Sequence, residues 1–210
     1  MALKARVYIR RAEREDLDTV VSWREDPAFI RFLYGDRTRS PKQIREQIVG
    51  MLGRTAGHTM PNGIFLVVDS EKSGPIGLLS IVNIGWRNRS CNIDTYVVEK
   101  VRNSFLAAIS FYRVLEYCFQ ELGMHRVNLF VYAFNARSWR VIERSGAKRE
   151  LLLREHVARD GEVYDMYGYG LLRADWEWLR EDFKSHFKGI DLLSMVAQRK
   201  QAAAVPEAAP

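Results

Sequence analysis

The chain has 210 residues, 47% of them hydrophobic and 28% charged, with a net charge of +6 and two cysteines. That supplies the core of one domain. No run of eighteen apolar residues and no apolar leader follows Met1, so a membrane span and a secretory signal are not expected and a cytoplasmic location is. Cys91 and Cys118 stand far apart and the four histidines are scattered, so free thiols are expected rather than a disulfide framework or a metal site. The basic excess suits an anionic partner, whether a phosphate-bearing small molecule, an acidic protein surface or RNA.

Residues 7–11 read as a strand, and residues 16–23 follow with helical spacing and acidic residues in the first turn. Ser40-Pro41 offers an N-cap and an N1 proline for a helix to about Leu52. The polar, glycine-rich residues 53–63 read as a loop, with His58 placed to meet substrate. Residues 64–68 and 76–84, parted by Ser73-Gly-Pro75, read as an antiparallel hairpin, and residues 92–98 as another strand.

Phe105, Ile109, Tyr112, Leu115, Phe119 and Leu122 recur at three- and four-residue intervals, one apolar stripe of a helix. Residues 126–132 continue as a strand. Asn135 is a good N-cap for a short helix, and Gly146 can take the left-handed conformation that ends it. A strand through Leu151–Leu153 and a returning strand over 163–172 enclose Asp160-Gly161, a hairpin-turn pair. Residues 174–187 have helical spacing, and 198–210 is alanine-rich, polar and expected to be disordered. The expected division is a main domain over 1–175, a helical appendage over 176–197 and a tail over 198–210.

Three pieces stand in a telling order: Glu121-Leu-Gly-Met-His125-Arg-Val, then Asn135-Ala-Arg-Ser138-Trp-Arg-Val-Ile-Glu-Arg-Ser-Gly146-Ala, then residues 159–176. With the block from Phe105 to Val131, this resembles the GNAT superfamily of acyl-CoA-dependent N-acetyltransferases, in particular the branch that acetylates ribosomal-protein N-termini. The resemblance covers roughly residues 7–175. It implies an α/β (α+β) fold: a mixed, mostly antiparallel sheet split into a V between its fourth and fifth strands, with helices on both sides. It also implies acetyl-CoA as donor, a primary amine as acceptor and no metal. His125 falls in a turn that relatives also carry and reads as structural.

In the family the exposed backbone of the fourth strand holds the pantetheine arm as an added strand, and the matching positions are Tyr96, Val97 and Val98. Spacing alone also fits an ordinary buried strand. The pyrophosphate is expected at the turn entering the next helix, over Arg102, Asn103, Ser104, Phe105 and Ala107. There the family's Arg-x-x-Gly-x-Gly/Ala pattern carries phenylalanine at 105 in place of glycine. Phe105 either narrows the cradle or turns inward as the first residue of the apolar stripe.

Asn135 and Ser138 match the residues beside the pantetheine and the sulfur. Ile142 stands where many relatives have a proton-donating tyrosine, so the Ser138 hydroxyl or a water is expected to protonate the leaving thiolate. Ala147 stands where the family usually has an aromatic. Asp94, on one strand face with Tyr96, is the expected general base, with Glu99 and Asp165 as competitors. Tyr167 and Tyr169 share a strand face with Asp165 and either line the acceptor groove or simply pack.

The expected activity is transfer of an acetyl group to a small-molecule or peptide amine by direct attack on the thioester. Two alternatives stay open: a different donor, such as a carrier-protein thioester or aminoacyl-tRNA, or a non-catalytic binding domain. RNA is a less favoured partner, no membrane partner is expected, and homodimerisation is left open.

Overall fold

The computed structural model describes residues 7–33, 40–53, 60–102 and 104–186. His58, Asn103 and the tail from 198 lie outside these residues, as does the Phe105 side chain. One seven-stranded sheet organises the chain: β1 (Val7–Arg11), β2 (Gly63–Ser70), β3 (Gly74–Gly85), β4 (Ser90–Val97), β5 (Arg126–Tyr132), β6 (Lys148–Arg159) and β7 (Glu162–Leu172). Its spatial order is β1-β2-β3-β4-β5-β7-β6. Every neighbouring pair is antiparallel except β4 and β5. This is the mixed, mostly antiparallel sheet expected.

On one face lie α1 (Leu17–Glu25), α2 (Pro27–Phe32) and α3 (Pro41–Gly53). Val20, Val21 and Trp23 of α1, Phe29 of α2 and Ile48 of α3 cover Val67, Leu78 and Tyr96. On the other face α4 (Phe105–Glu116), α5 (Ala136–Arg144) and α6 (Arg173–His186) cover the larger core, which includes Leu79, Ile81, Ile93, Val127 and Leu129. Central strands are therefore apolar on both sides, and the run Leu66-Val67-Val68 is buried throughout.

Local chemistry explains the boundaries. α3 opens with a capping box: Gln43 N donates to Ser40 Oγ (3.3 Å) and Ser40 N to Gln43 Oε1 (2.8 Å). α4 buries Ile109, Tyr112 and Leu115 as its stripe requires, then widens into a π turn over Tyr117–Glu121 that buries Phe119. Asp160 (φ 54°) and Gly161 (φ 80°) form the β6–β7 turn with both central residues left-handed. Trp176, at the start of α6, is fully buried against Phe119 with ring centroids 5.5 Å apart.

Cys91 of β4 and Cys118 of the π turn, distant in sequence, meet in the core with their sulfurs 3.8 Å apart. Both are free, fully buried thiols. Strand-to-helix packing brings them together, which sequence separation does not disclose.

Candidate active site

The parallel pairing of β4 with β5 lasts for three residue pairs, Ser90 with Arg126, Cys91 with Val127 and Asn92 with Asn128. Beyond that point β4 stays with β3 as far as Val97, and β5 stays with β7 as far as Tyr132. Each strand keeps its outer partner and loses its inner one, so the sheet opens into a wedge. Asn128 marks its root: its Nδ2 donates to the Cys91 carbonyl (3.3 Å) and to Asn92 Oδ1 (3.1 Å), while its Oδ1 accepts from Arg126 Nε (2.6 Å). A side chain thus satisfies the carbonyl at which the ladder ends.

The register of β4 against β3 is unbroken from Asn92 to Val97. The irregularity lies earlier, between Val82 and Gly85 of β3, where Asn83 has φ 51°. The V expected between the fourth and fifth strands is thus opened by divergence of the two strands and not by an inserted residue in β4.

The β4 wall is not uniform. Val98 N–H donates to the Ile76 carbonyl of β3 (2.9 Å), and the Val98 carbonyl accepts from Val101 N (3.0 Å). Both of its main-chain groups are spent. By strand alternation the main-chain groups of Tyr96 also turn towards β3, whereas those of Thr95 and Val97 turn towards the wedge. The Val97 carbonyl accepts from Arg102 Nε (3.1 Å). Of the three expected positions, Val97 alone presents its main-chain polar groups to the opening.

Arg102 is held at a second point, where Nη2 donates to Asp26 Oδ2 (3.1 Å). Asp26, which N-caps α2 by accepting from Ala28 N (2.7 Å), also accepts from Tyr96 Oη (2.5 Å). The Arg102 guanidinium lies 5.6 Å from the Tyr96 ring centre. Burial works against the Asp26 charge, but the Tyr96 and Ala28 hydrogen bonds and the Arg102 cation outweigh it and lower the carboxyl's pKa. Burial and the Asp26 carboxylate both push the Tyr96 phenol up.

At the turn into α4, Ser104 N donates to the Val101 carbonyl (3.0 Å), Leu106 N to Ser104 Oγ (3.2 Å) and Ala107 N to the Ser104 carbonyl (3.1 Å). Among the described residues, the N–H groups of Ser104, Leu106 and Ala107 are thus bonded within the turn itself.

Asp94 is half-buried on β4, opposite Ser80 of β3. Burial raises its pKa to about 6, and the positive charge of Arg24 on α1 pulls in the other direction. Across the wedge, Asn135 caps α5: its Oδ1 accepts from Ser138 N (3.3 Å) and its carbonyl from Trp139 N (3.2 Å). The Ser138 hydroxyl is half-buried and has no hydrogen-bond partner among the described residues.

The structure therefore brings Tyr96, Val97 and Arg102 into one bonded cluster on the β4 side and Asn135 with Ser138 into another at the end of β5. Glu99 is exposed, and Asp165 Oδ1 accepts from Glu155 N (2.8 Å) to tie β6 to β7. Tyr167 and Tyr169 pack beneath α5 around Arg149, whose guanidinium lies 4.0 Å from the Tyr167 ring centre. Tyr169 is buried and bonds Glu143, whereas Tyr167 stays partly exposed. His125 N donates to the Arg89 carbonyl (2.7 Å), a structural closure.

Asp26, Arg24 and Asn128 join the site without a place among the residues expected from the sequence. Asp26-Pro27 does carry an N-cap signature, and Asn128 is a polar residue amid an apolar strand. Among the described residues no helix is long and apolar enough to cross a membrane, and no group of three metal-ligating side chains converges.

A seven-stranded mixed sheet whose single parallel pair opens into a wedge, with a helix starting beside the opening, is the architecture of the GNAT acetyltransferases. The chain belongs to that family: the model of the Acetyltransferase (GNAT) domain matches residues 6–148. It is 29% identical over 113 residues to the SPbeta prophage-derived uncharacterized N-acetyltransferase YokL of Bacillus subtilis, covering 54% of this chain and 63% of that one. It is 27% identical over 101 residues to the putative ribosomal N-acetyltransferase YdaF of the same organism, covering 48% of this chain and 55% of that one. The match thus spans less than two thirds of either relative. Among solved structures it resembles spermidine N-acetyltransferase from Vibrio cholerae in complex with CoA and spermine, with a TM-score of 0.74, 19% identity and coverage of 82% of this chain and 98% of that one.

Proposed function

We propose that the protein transfers an acetyl group from acetyl-CoA to a primary amine. The observation that carries this is the loss of β4–β5 pairing after Asn92 and Asn128, which leaves inward-facing main-chain groups unpaired in the middle of a sheet. Unpaired polar groups there need a partner, and an extended amide-bearing arm supplies one. The N–H of Val97 and the main-chain groups of Thr95 hold that arm, Arg102 meets the donor phosphates, and Asn135 and Ser138 form the opposite wall.

The donor supplies an activated thioester carbonyl. The amine nitrogen forms a bond to the carbonyl carbon, and the carbon–sulfur bond breaks. Asp94, poised near neutrality by burial, accepts the amine proton directly or through one water. The Ser138 hydroxyl gives a proton to the departing thiolate and recovers one from solvent. Main-chain alignment of the two reactants supplies most of the acceleration.

Acceptors that suit this chemistry are a protein N-terminus, in keeping with a relative named a putative ribosomal N-acetyltransferase, and a polyamine, in keeping with a neighbour that acetylates spermidine. The cytoplasmic location expected from the sequence belongs to the same proposal. The test is isothermal titration with acetyl-CoA, followed by CoA thiol release with spermidine and with short peptides bearing free N-termini. Saturable heat and amine-dependent thiol release support the proposal. No heat at high micromolar donor refutes it.

A further inference from the structure

We infer that Asp26 is a positioning residue for the donor's phosphates, acting through Arg102. The inference rests on the acetyl-CoA reading above. Arg102 is fixed along one edge of its guanidinium, with Nε on the Val97 carbonyl (3.1 Å) and Nη2 on Asp26 (3.1 Å). Its Nη1 has no bond among the described residues, and its side chain remains 21% exposed. Two planar contacts on one edge leave the other end of the fork directed and reachable, the geometry in which arginine takes a phosphate by two parallel hydrogen bonds.

A cation suits this place because three N–H groups of the turn into α4 are bonded within the turn. With the Ser104, Leu106 and Ala107 N–H groups already bonded, the Arg102 charge adds to the remaining main-chain donors at a diphosphate placed there. A free arginine would lose side-chain entropy on binding; one already pinned by Asp26 loses little. Asp26 is itself rigid, because it sits at the α2 N-cap and takes the Tyr96 hydroxyl. Three elements distant in sequence, the α1–α2 corner, the end of β4 and the turn into α4, thus converge on one carboxylate.

Asparagine at 26 isolates the charge, since it keeps an oxygen for the Ala28 N–H and remains a good N-cap. The experiment titrates CoA and, separately, pantetheine, which lacks the phosphates, into the full chain and its Asp26→Asn variant. Asp26→Ser serves as a second cap-keeping replacement. The expected result is a rise of about tenfold in the CoA Kd with the pantetheine Kd unchanged. In turnover the acetyl-CoA KM rises while kcat holds.

In a double-mutant cycle with Arg102→Gln the two losses are expected to overlap rather than add. Equal weakening of CoA and pantetheine, an unchanged CoA Kd, or additive losses overturns the assignment while leaving the acetyltransferase proposal standing. Failure of the unaltered chain to bind CoA overturns both.

Discussion

Asp94→Asn removes a carboxylate that β4 holds half-buried, and its consequences for stability and for catalysis have opposite signs. In the unfolded chain the Asp94 carboxyl titrates near its ordinary 3.8; in the folded protein burial moves it to about 6. Between those values the folded state binds the extra proton, so this group's contribution to stability falls as pH rises and is at its lowest above pH 6. At about 1.36 kcal/mol per pKa unit, the difference amounts to about 3 kcal/mol, an upper value because the side chain is not fully buried. Asparagine carries no such penalty.

The variant is therefore expected to be more stable by about 2–3 kcal/mol at pH 7.5, a rise of about 5–10 °C in Tm for a domain of this size, and to match the parent near pH 4. Urea unfolding at the two pH values measures it. In the same variant, acetyl transfer loses the rise of kcat/KM through about pH 6 that a carboxylate base produces. A gain of equal size at both pH values refutes the titration argument. Full activity with an unchanged pH profile refutes the assignment of Asp94 as base while leaving the stability argument intact.

Asn128→Ala deletes the side chain that closes the wedge root and leaves the Cys91 carbonyl with one donor fewer, for an expected loss of about 1–3 kcal/mol in urea unfolding and weaker donor binding in the same preparation. Trp176→Ala, at a fully buried ring on Phe119, is expected to cost about 3–5 kcal/mol; a loss below about 1 kcal/mol would show that α6 does not belong to the core. The thiols of Cys91 and Cys118 are expected to resist an aromatic disulfide reagent until denaturant is added, because both are fully buried out of the reagent's reach. Rapid labelling of the native chain would contradict that packing.

Much of the frame was legible because local chemistry wrote it. The three-and-four spacing of Ile109, Tyr112 and Leu115, the Ser40-Pro41 start, the Asn135 cap and the Asp160-Gly161 turn each draw on residues a few places apart, and each stands where the pattern placed it. The order of the pieces around Asn135 supplied the family. What stayed hidden was long-range. Asp26 and Tyr96 are separated by 70 residues, Asn92 and Asn128 by 36, and Cys91 and Cys118 by 27, and nothing in a single sequence pairs them. Main-chain polarity at the site was equally illegible: that Val98 spends both its groups while Val97 faces the wedge depends on which strand edge lost its partner.

Those long-range bonds bear on how such a wedge persists before any donor enters it. Two neighbouring strands in a sheet lower their free energy by pairing, so an opening is favoured where some of its main-chain groups are bonded elsewhere and the rest await a ligand. On the β4 wall the Val97 carbonyl accepts from Arg102, which Asp26 holds, and at the root the Cys91 carbonyl accepts from the Asn128 side chain. The two strands are anchored outward, β4 by β3 from Asn92 to Val97 and β5 by β7 from Arg126 to Tyr132. Closing the wedge would require bending both strands towards each other while they stay paired to β3 and β7 and displacing Arg102 from the Val97 carbonyl. The preference for a ligand over strand closure is thus built from side chains outside the opening itself.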